Sequence, residues 1–303
     1  MTTTDNQDAV RGDGADRLEI RRRPRWIWIA IVLVGAVTVA AGMVFAAGGD
    51  DKSPNEIAGA TLVIATDEGC AGEQALVEFI AEKVAPKYGI KVENRGLSDS
   101  TTINRAVSEG EFAGTLYQHK LWLKQVLEAN SDFEEIAVTP VFRWGFGIWS
   151  EKYNNPVQLP DGATVSLYSD PANEAQGLWL LERAGLIKLD PDAEKWRVTQ
   201  KDIIDNPKNL KFLLLDFAAQ SRSLPDLDAA VGYTYFYQAA KVSEKYQIFA
   251  PPPPDEFAGQ LTIGTKWADT ENIKKLVAAF KDPAVQEFLA TDPSVKGGLL
   301  PLQ

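Results

Sequence analysis

From Trp26 to Gly49 the chain carries no charge for 24 residues, and a basic block, Arg21, Arg22, Arg23 and Arg25, stands directly before the run. Counted to Ala47, its 22 residues rise about 33 Å as a helix, enough to cross a hydrocarbon core of about 30 Å. Trp26 and Trp28 sit where an interfacial belt would place them, and Asp50 and Asp51 follow the run. The positive-inside rule then reads residues 1–25 as a cytoplasmic basic leader and 26–49 as a single-pass transmembrane signal anchor. Residues 50–59 read as a polar tether, and the body lies on the extracellular or periplasmic side of the cell membrane. A cut signal peptide is the competing reading. Val44-Phe45-Ala46 is a passable small-residue site, although the run exceeds the usual core of about 7 to 15 residues. A lipidated Cys after the run is not on offer, because the sole Cys, Cys70, lies 20 residues beyond Asp50.

Six Arg and five Asp or Glu precede Asp50, which leaves the body 25 Lys+Arg against 37 Asp+Glu. This excess argues against nucleic acid, whose binding needs neutralised phosphates. One Cys and one His exclude a disulfide framework and a His/Cys zinc cluster. No Gly-x-Ser-x-Gly elbow, Walker sequence or Gly-x-Gly-x-x-Gly follows a strand, so the sequence points to neither an enzyme nor a bound cofactor. A Cys70–His119 pair is conceivable, but nothing orients that His as a triad would.

The body alternates strands and helices. Thr61–Ala65 reads as a strand, and Glu73–Tyr88 as a helix with Leu76, Phe79, Ile80 and Val84 on one face, stopped by Gly89. Strands at 90–94, 112–117 and 136–140 follow, with a helix from Ser100 or Thr101 as cap to Val107 and another through Leu121 and Trp122. This order predicts a mainly parallel sheet. Val141–Ser150, aromatic and punctuated by two Gly, reads as a crossover to a second set of elements. There, strands at 163–168, 210–215 and 228–233 alternate with helices at 171–184 and 234–240, and 216–221 reads as a loop. Pro251–Pro254 reads as a rigid exposed loop, 297–303 as a loose tail. The economical solution has two lobes with a ligand cleft between them: 60–140 with 242–303 as lobe I, and 141–241 as lobe II.

Six segments stand out along the body: Tyr117-Gln118-His119-Lys120-Leu121-Trp122-Leu123, Leu159-Pro160-Asp161-Gly162-Ala163-Thr164-Val165 and Ser169-Asp170-Pro171-Ala172-Asn173. Ala184-Gly185-Leu186-Ile187-Lys188-Leu189, Asp205-Asn206-Pro207-Lys208-Asn209-Leu210, and Ala218-Ala219-Gln220 with Arg222-Ser223-Leu224 complete the set. Together, over roughly residues 60–300, they resemble, in the family's order, the methionine-binding (NlpA-type) solute-binding proteins of ABC importers. The resemblance implies an α/β, two-lobed periplasmic-binding-protein fold, type II-like. It also implies a permease with its ATPase as partner and a small amino-acid-like solute, typically methionine, in the cleft. Most members carry a lipidated N-terminal Cys; this chain departs there.

The resemblance places His119 and its aromatic neighbours around the ligand side chain. Tyr117 and Trp122 would supply flat walls that suit a thioether, although core packing suits Trp122 as well. Asn173 lies at a helix start, where it either contacts ligand or caps the helix. The family usually has an Arg where this chain has Gln176, and often an Asn where it has Tyr233. Losing a bidentate clamp puts methionine itself in question and leaves open a ligand such as a short peptide or amino-acid derivative. Arg143 and Arg105 are candidate substitutes, and Glu174 is new charge. Trp144 shares the crossover with Phe142, Phe146 and Trp149, which would line the cleft or pack the hinge. Arg222 would brace against Asp226 or Asp228. A membrane-attached sensor or scaffold without a transport role is the alternative to import.

Overall fold

The computed structural model describes residues 52–302, so the basic leader and the apolar run lie outside the described residues. Among the described residues no helix is long and apolar enough to cross a membrane. In chain order the first elements are β1 (Thr61–Asp67), α1 (Ala71–Phe79), β2 (Lys91–Leu97), α2 (Ser100–Ser108), β3 (Gly114–Thr115), α3 (Lys120–Ala129) and β4 (Glu135–Trp144). A second group holds β5 (Phe146–Trp149), β6 (Thr164–Tyr168), α4 (Pro171–Arg183), β7 (Lys188–Leu189), β8 (Ile203–Asp205), β9 (Lys211–Leu215), α5 (Phe217–Ser223), β10 (Ala229–Tyr233), α6 (Thr234–Ala239) and β11 (Gln247–Phe249). The chain ends with β12 (Ala258–Gly264), α7 (Glu271–Phe280), α8 (Pro283–Thr291) and β13 (Leu299–Leu300).

The first sheet has the order β13-β4-β12-β3-β1-β2 and the second β11-β5-β10-β6-β9. The first is mixed rather than mainly parallel. β1 runs parallel to β2 and β3, but β12 inserts antiparallel between β3 and β4, and β13 pairs antiparallel with β4. The cause is the late return of the chain, which brings β12 back from the second sheet in the opposite direction. The same return orders the expected loose tail, because β4 offers its free edge to Leu299 and Leu300. Strands buried on both faces read as unbroken apolar runs, as in β5 and β10; β12 is wholly buried too, although it carries Gln260 and Thr262.

The chain passes from the first sheet to the second at Gly145, between β4 and β5, and leaves the second after Phe249. Gly145 donates its N–H to Gly298 O at 2.9 Å and accepts from Thr234 N at 2.8 Å. A Cβ here would collide with Gly297 O and come within 2.8 Å of Thr234 Oγ1, so only glycine passes. The proline run is only partly exposed. Pro253 is buried, and the carbonyls of Pro252 and Pro253 accept from Arg183 and Arg143.

Local chemistry sets the remaining boundaries. α1 continues as a π turn (Ile80–Val84) and a 3-10 turn (Ala85–Tyr88), because Pro86 has no N–H to extend the ladder, and Gly89 ends it at φ 68°. Asp99, not Ser100 or Thr101, caps α2, its Oδ1 accepting from Thr102 N at 2.7 Å. The expected loop after β9 is the helix α5. The described part of the expected tether is bound down: Ser53 Oγ donates to Gly110 O, buried Asn55 donates to Phe112 O, and Asn272 donates to Pro54 O and Ile57 O.

Candidate functional site

The register that pairs Asp67 with Leu97 brings the carboxyl ends of β1 and β2 level with each other. The end of β10 and the starts of α3, α4, α5 and α6 face them. Between these ends lies a cavity of about 240 Å³, the usual place for a ligand in an α/β sheet protein. Tyr117, Gln118, His119, Trp122 and Trp144 line it from the first sheet's elements, with Asp67 and the α2 start. Asn173, Phe217, Tyr233, Tyr235 and Phe236 line it from the second.

A chain of hydrogen bonds crosses the gap. His119 is the N-cap of α3, its Nδ1 accepting from Trp122 N at 3.1 Å. That bond fixes the tautomer with the proton on Nε2, which faces Asn173 Oδ1 at 3.4 Å. Burial lowers the His119 pKa from 6.5 to about 4, so the ring is a neutral donor. Asn173 Oδ1 also accepts from Tyr233 O–H at 2.5 Å, and Asn173 Nδ2 donates to Asp170 Oδ1 at 2.8 Å. Asp170 caps α4 through Asn173 N at 3.0 Å, so one carboxylate orders both the helix start and the amide. Gln176 Oε1 lies 2.9 Å from the Tyr233 hydroxyl. One hydroxyl proton cannot serve two acceptors, so the Gln176 amide belongs the other way round, with its nitrogen donating to Tyr233.

Beside this chain stand two acids. Asp67 Oδ1 accepts from Gly69 N at 2.8 Å and Oδ2 from Tyr235 O–H at 3.3 Å, while burial raises its pKa. Glu73, in the first turn of α1, is wholly buried behind Trp144. It accepts from Trp144 Nε1 at 2.9 Å and from Asp67 N at 3.0 Å. Burial, reinforced by Asp67, pushes the Glu73 pKa up to about 8. Among the described residues no three His, Cys, Asp or Glu side chains converge to hold a metal ion.

Of the residues singled out in the sequence, Tyr117, His119, Trp122, Trp144, Asn173 and Tyr233 line one cavity. Gln176 stands behind Tyr233, outside that lining. Arg143 is buried and turned away: it donates to Pro301 O at 2.8 and 3.2 Å and reaches Pro253 O at 3.5 Å. The strand period of two explains this, since Arg143 faces opposite to Phe142 and Trp144. Arg105 is on the surface with Glu109 and Asp132, so neither Arg substitutes for a clamp. Glu174 accepts from Gln200 Nε2 at 3.1 Å. Arg222 is exposed, and Asp228 pairs with Lys152 at 3.5 Å in its place. Cys70 and His119 form no pair: both His119 nitrogens are engaged elsewhere, and the Cys70 thiol is buried with its pKa raised by burial and by Glu73. Trp149 is core, stacked on Tyr237 at 4.1 Å. Sequence reasoning missed Asp67, Phe217, Tyr235 and Phe236. The signal for them was positional: each lies at the end of a strand or within the first turn of the helix that follows one.

The family model for NlpA lipoprotein matches residues 63–302. The chain belongs to this family. It is 33% identical over 244 residues to the D-methionine-binding lipoprotein MetQ of Escherichia coli (strain K12), covering 79% of this chain and 86% of that protein. Among solved structures, an ABC transporter periplasmic substrate-binding protein from Coxiella burnetii superposes with TM-score 0.71 at 30% identity, covering 80% of this chain and all of that one. A nutrient binding protein from Burkholderia cenocepacia, solved bound to methionine, gives TM-score 0.69 at 29% identity over 79% of this chain and 98% of its own. The NlpA family thus fixes the architecture as the α/β periplasmic substrate-binding fold.

Proposed function

We propose that this chain is the substrate-binding component of an ABC importer. It captures methionine or a related small amino-acid-like solute between its two sheets and delivers it to a permease, with its ATPase, in the same membrane. The observation that supports this most is an aromatic cavity at the strand ends walled from both sheets, in a chain whose family relatives are named for binding D-methionine. In this reading Tyr117, Trp122 and Trp144 wall the apolar part of the solute. His119, Asn173 and Tyr233 form the polar seam, and Gln176 holds the Tyr233 hydroxyl in place.

Capture works by closure of the two sheets over the solute. Trp122 meets Phe217 at 5.7 Å, Phe257 meets Trp196 at 5.1 Å, and Arg197 reaches Glu128 at 3.7 Å, all across the gap between the sheets. A solute shifts this equilibrium only by its differential affinity for the closed form. The reading of a site that binds rather than reacts is supported by His119, both of whose ring nitrogens are engaged, by Trp122 N and Asn173, and by relatives named as binding proteins.

Membrane attachment through the run at 26–49 completes the proposal, since the chain's sole Cys is buried in the body. Protease added to intact cells should then degrade the body and leave a fragment of the leader and span. The transport role is tested by uptake of radiolabelled methionine and its derivatives in cells with and without the chain. Loss of uptake on removal of the chain is the expected result; unchanged uptake of every solute contradicts the proposal.

A further inference from the structure

The cavity walls combine two features that favour one sign of ligand charge. Trp144, Tyr233, Tyr235 and Phe236 follow one another at ring-centroid distances of 5.8, 6.0 and 4.2 Å. Phe217 and Trp122 continue the series at 5.8 and 5.7 Å. Such faces attract an organic cation and do nothing for an anion. Among the described residues, Asp67 is the only carboxylic acid in the lining, and no Lys or Arg side chain lines the cavity. Two of the roughly four lone-pair sites of the Asp67 carboxylate are taken, by Gly69 N–H and Tyr235 O–H. Asp170 stands directly behind Asn173, while Glu73, behind Trp144, is held protonated by burial and adds no charge. A free carboxylate brought in here meets the Asp67 carboxyl and finds no Lys or Arg in the lining to clamp it.

We propose that the cavity selects an ammonium-bearing, apolar, amino-acid-like solute whose carboxyl group is masked as an amide or ester or is missing, with Asp67 as its counter-ion. The proposal rests on the import reading above and names the solute class for that same site. Calorimetric titration of the full chain in detergent tests it with five probes: methionine, methioninamide, methionine methyl ester, the decarboxylated amine and the deaminated acid. The amide, ester or amine is expected to bind at least ten-fold tighter than methionine, and the deaminated acid not at all. Asp67→Asn keeps an acceptor for Gly69 N–H and is expected to cut amine and amide affinity at least ten-fold. Methionine binding as tightly as its amide overturns the inference and leaves the import reading standing. An unaltered affinity of folded Asp67→Asn overturns it too, and failure of all five probes to bind the wild-type chain overturns both. The comparison of probes on the wild type does not depend on the variant folding.

Discussion

His119 does two jobs at once, and they separate by substitution. Its Nδ1 caps α3 while its Nε2–H reaches across the cavity to Asn173. His119→Ala removes both, so it should lower stability by about 1 kcal/mol, the usual worth of a cap, as well as weaken solute binding. His119→Asn keeps a capping oxygen without the reach to Asn173. Thermal unfolding should return to near wild type in the Asn variant while binding stays weak; equal binding by wild type and Asn variant would remove His119 from the site. Tyr233→Phe makes the companion prediction. It strips the hydroxyl that joins Asn173 to Gln176, leaving buried polar atoms unpaired at a cost of about 1–3 kcal/mol in unfolding free energy. These residues were partly legible. Tyr117, His119 and Asn173 sit in sequence segments with a recognisable order, whereas Asp67 and Tyr235 carry no signature and acquire meaning only when strand ends are brought level. Arg143 was misplaced because charge drew attention to it, although its alternation with Phe142 and Trp144 already set it on the opposite face.

At the scale of elements, the changeover at Gly145 is a close backbone crossing. Gly145→Ala should destabilise by about 1–3 kcal/mol in denaturant unfolding, because its Cβ would meet Gly297 O and Thr234 Oγ1. A neutral result would mean that the crossing is looser than described. The first turn of α1 predicts a pH effect. Glu73 has a folded pKa of about 8 against an ordinary 4.5, so the folded state keeps a proton that the unfolded chain releases. Its contribution to stability is therefore full below about 4.5 and is lost as pH rises towards 8. Glu73→Gln mimics the protonated acid, so the wild type should lose melting temperature relative to this variant between those limits. Parallel curves would contradict the assignment. Glu135 and His119 titrate in both proteins and drop out of the difference. Helices and strands were mostly readable from apolar spacing. The order of strands was not, since nothing local in Ala258–Gly264 says that it will enter the first sheet antiparallel. The helix α5 was also hidden, because its apolar side reads only once the second sheet lies beneath it.

At the scale of the whole molecule, two sheets share one small aromatic cavity at their strand ends. The excess of acid over base in the body fits that reading as a solvated surface. Closure explains why the site residues come from such distant stretches of sequence as Asp67, Trp144 and Tyr235. The most direct measurement is equilibrium dialysis of the detergent-solubilised full chain against radiolabelled methionine and methioninamide, beside a variant carrying Asn173→Ala and Tyr233→Ala. The account predicts saturation at one solute per chain by at least one of the two, abolished in the double variant. Binding that survives the double variant, or no saturable binding of either compound, would contradict it.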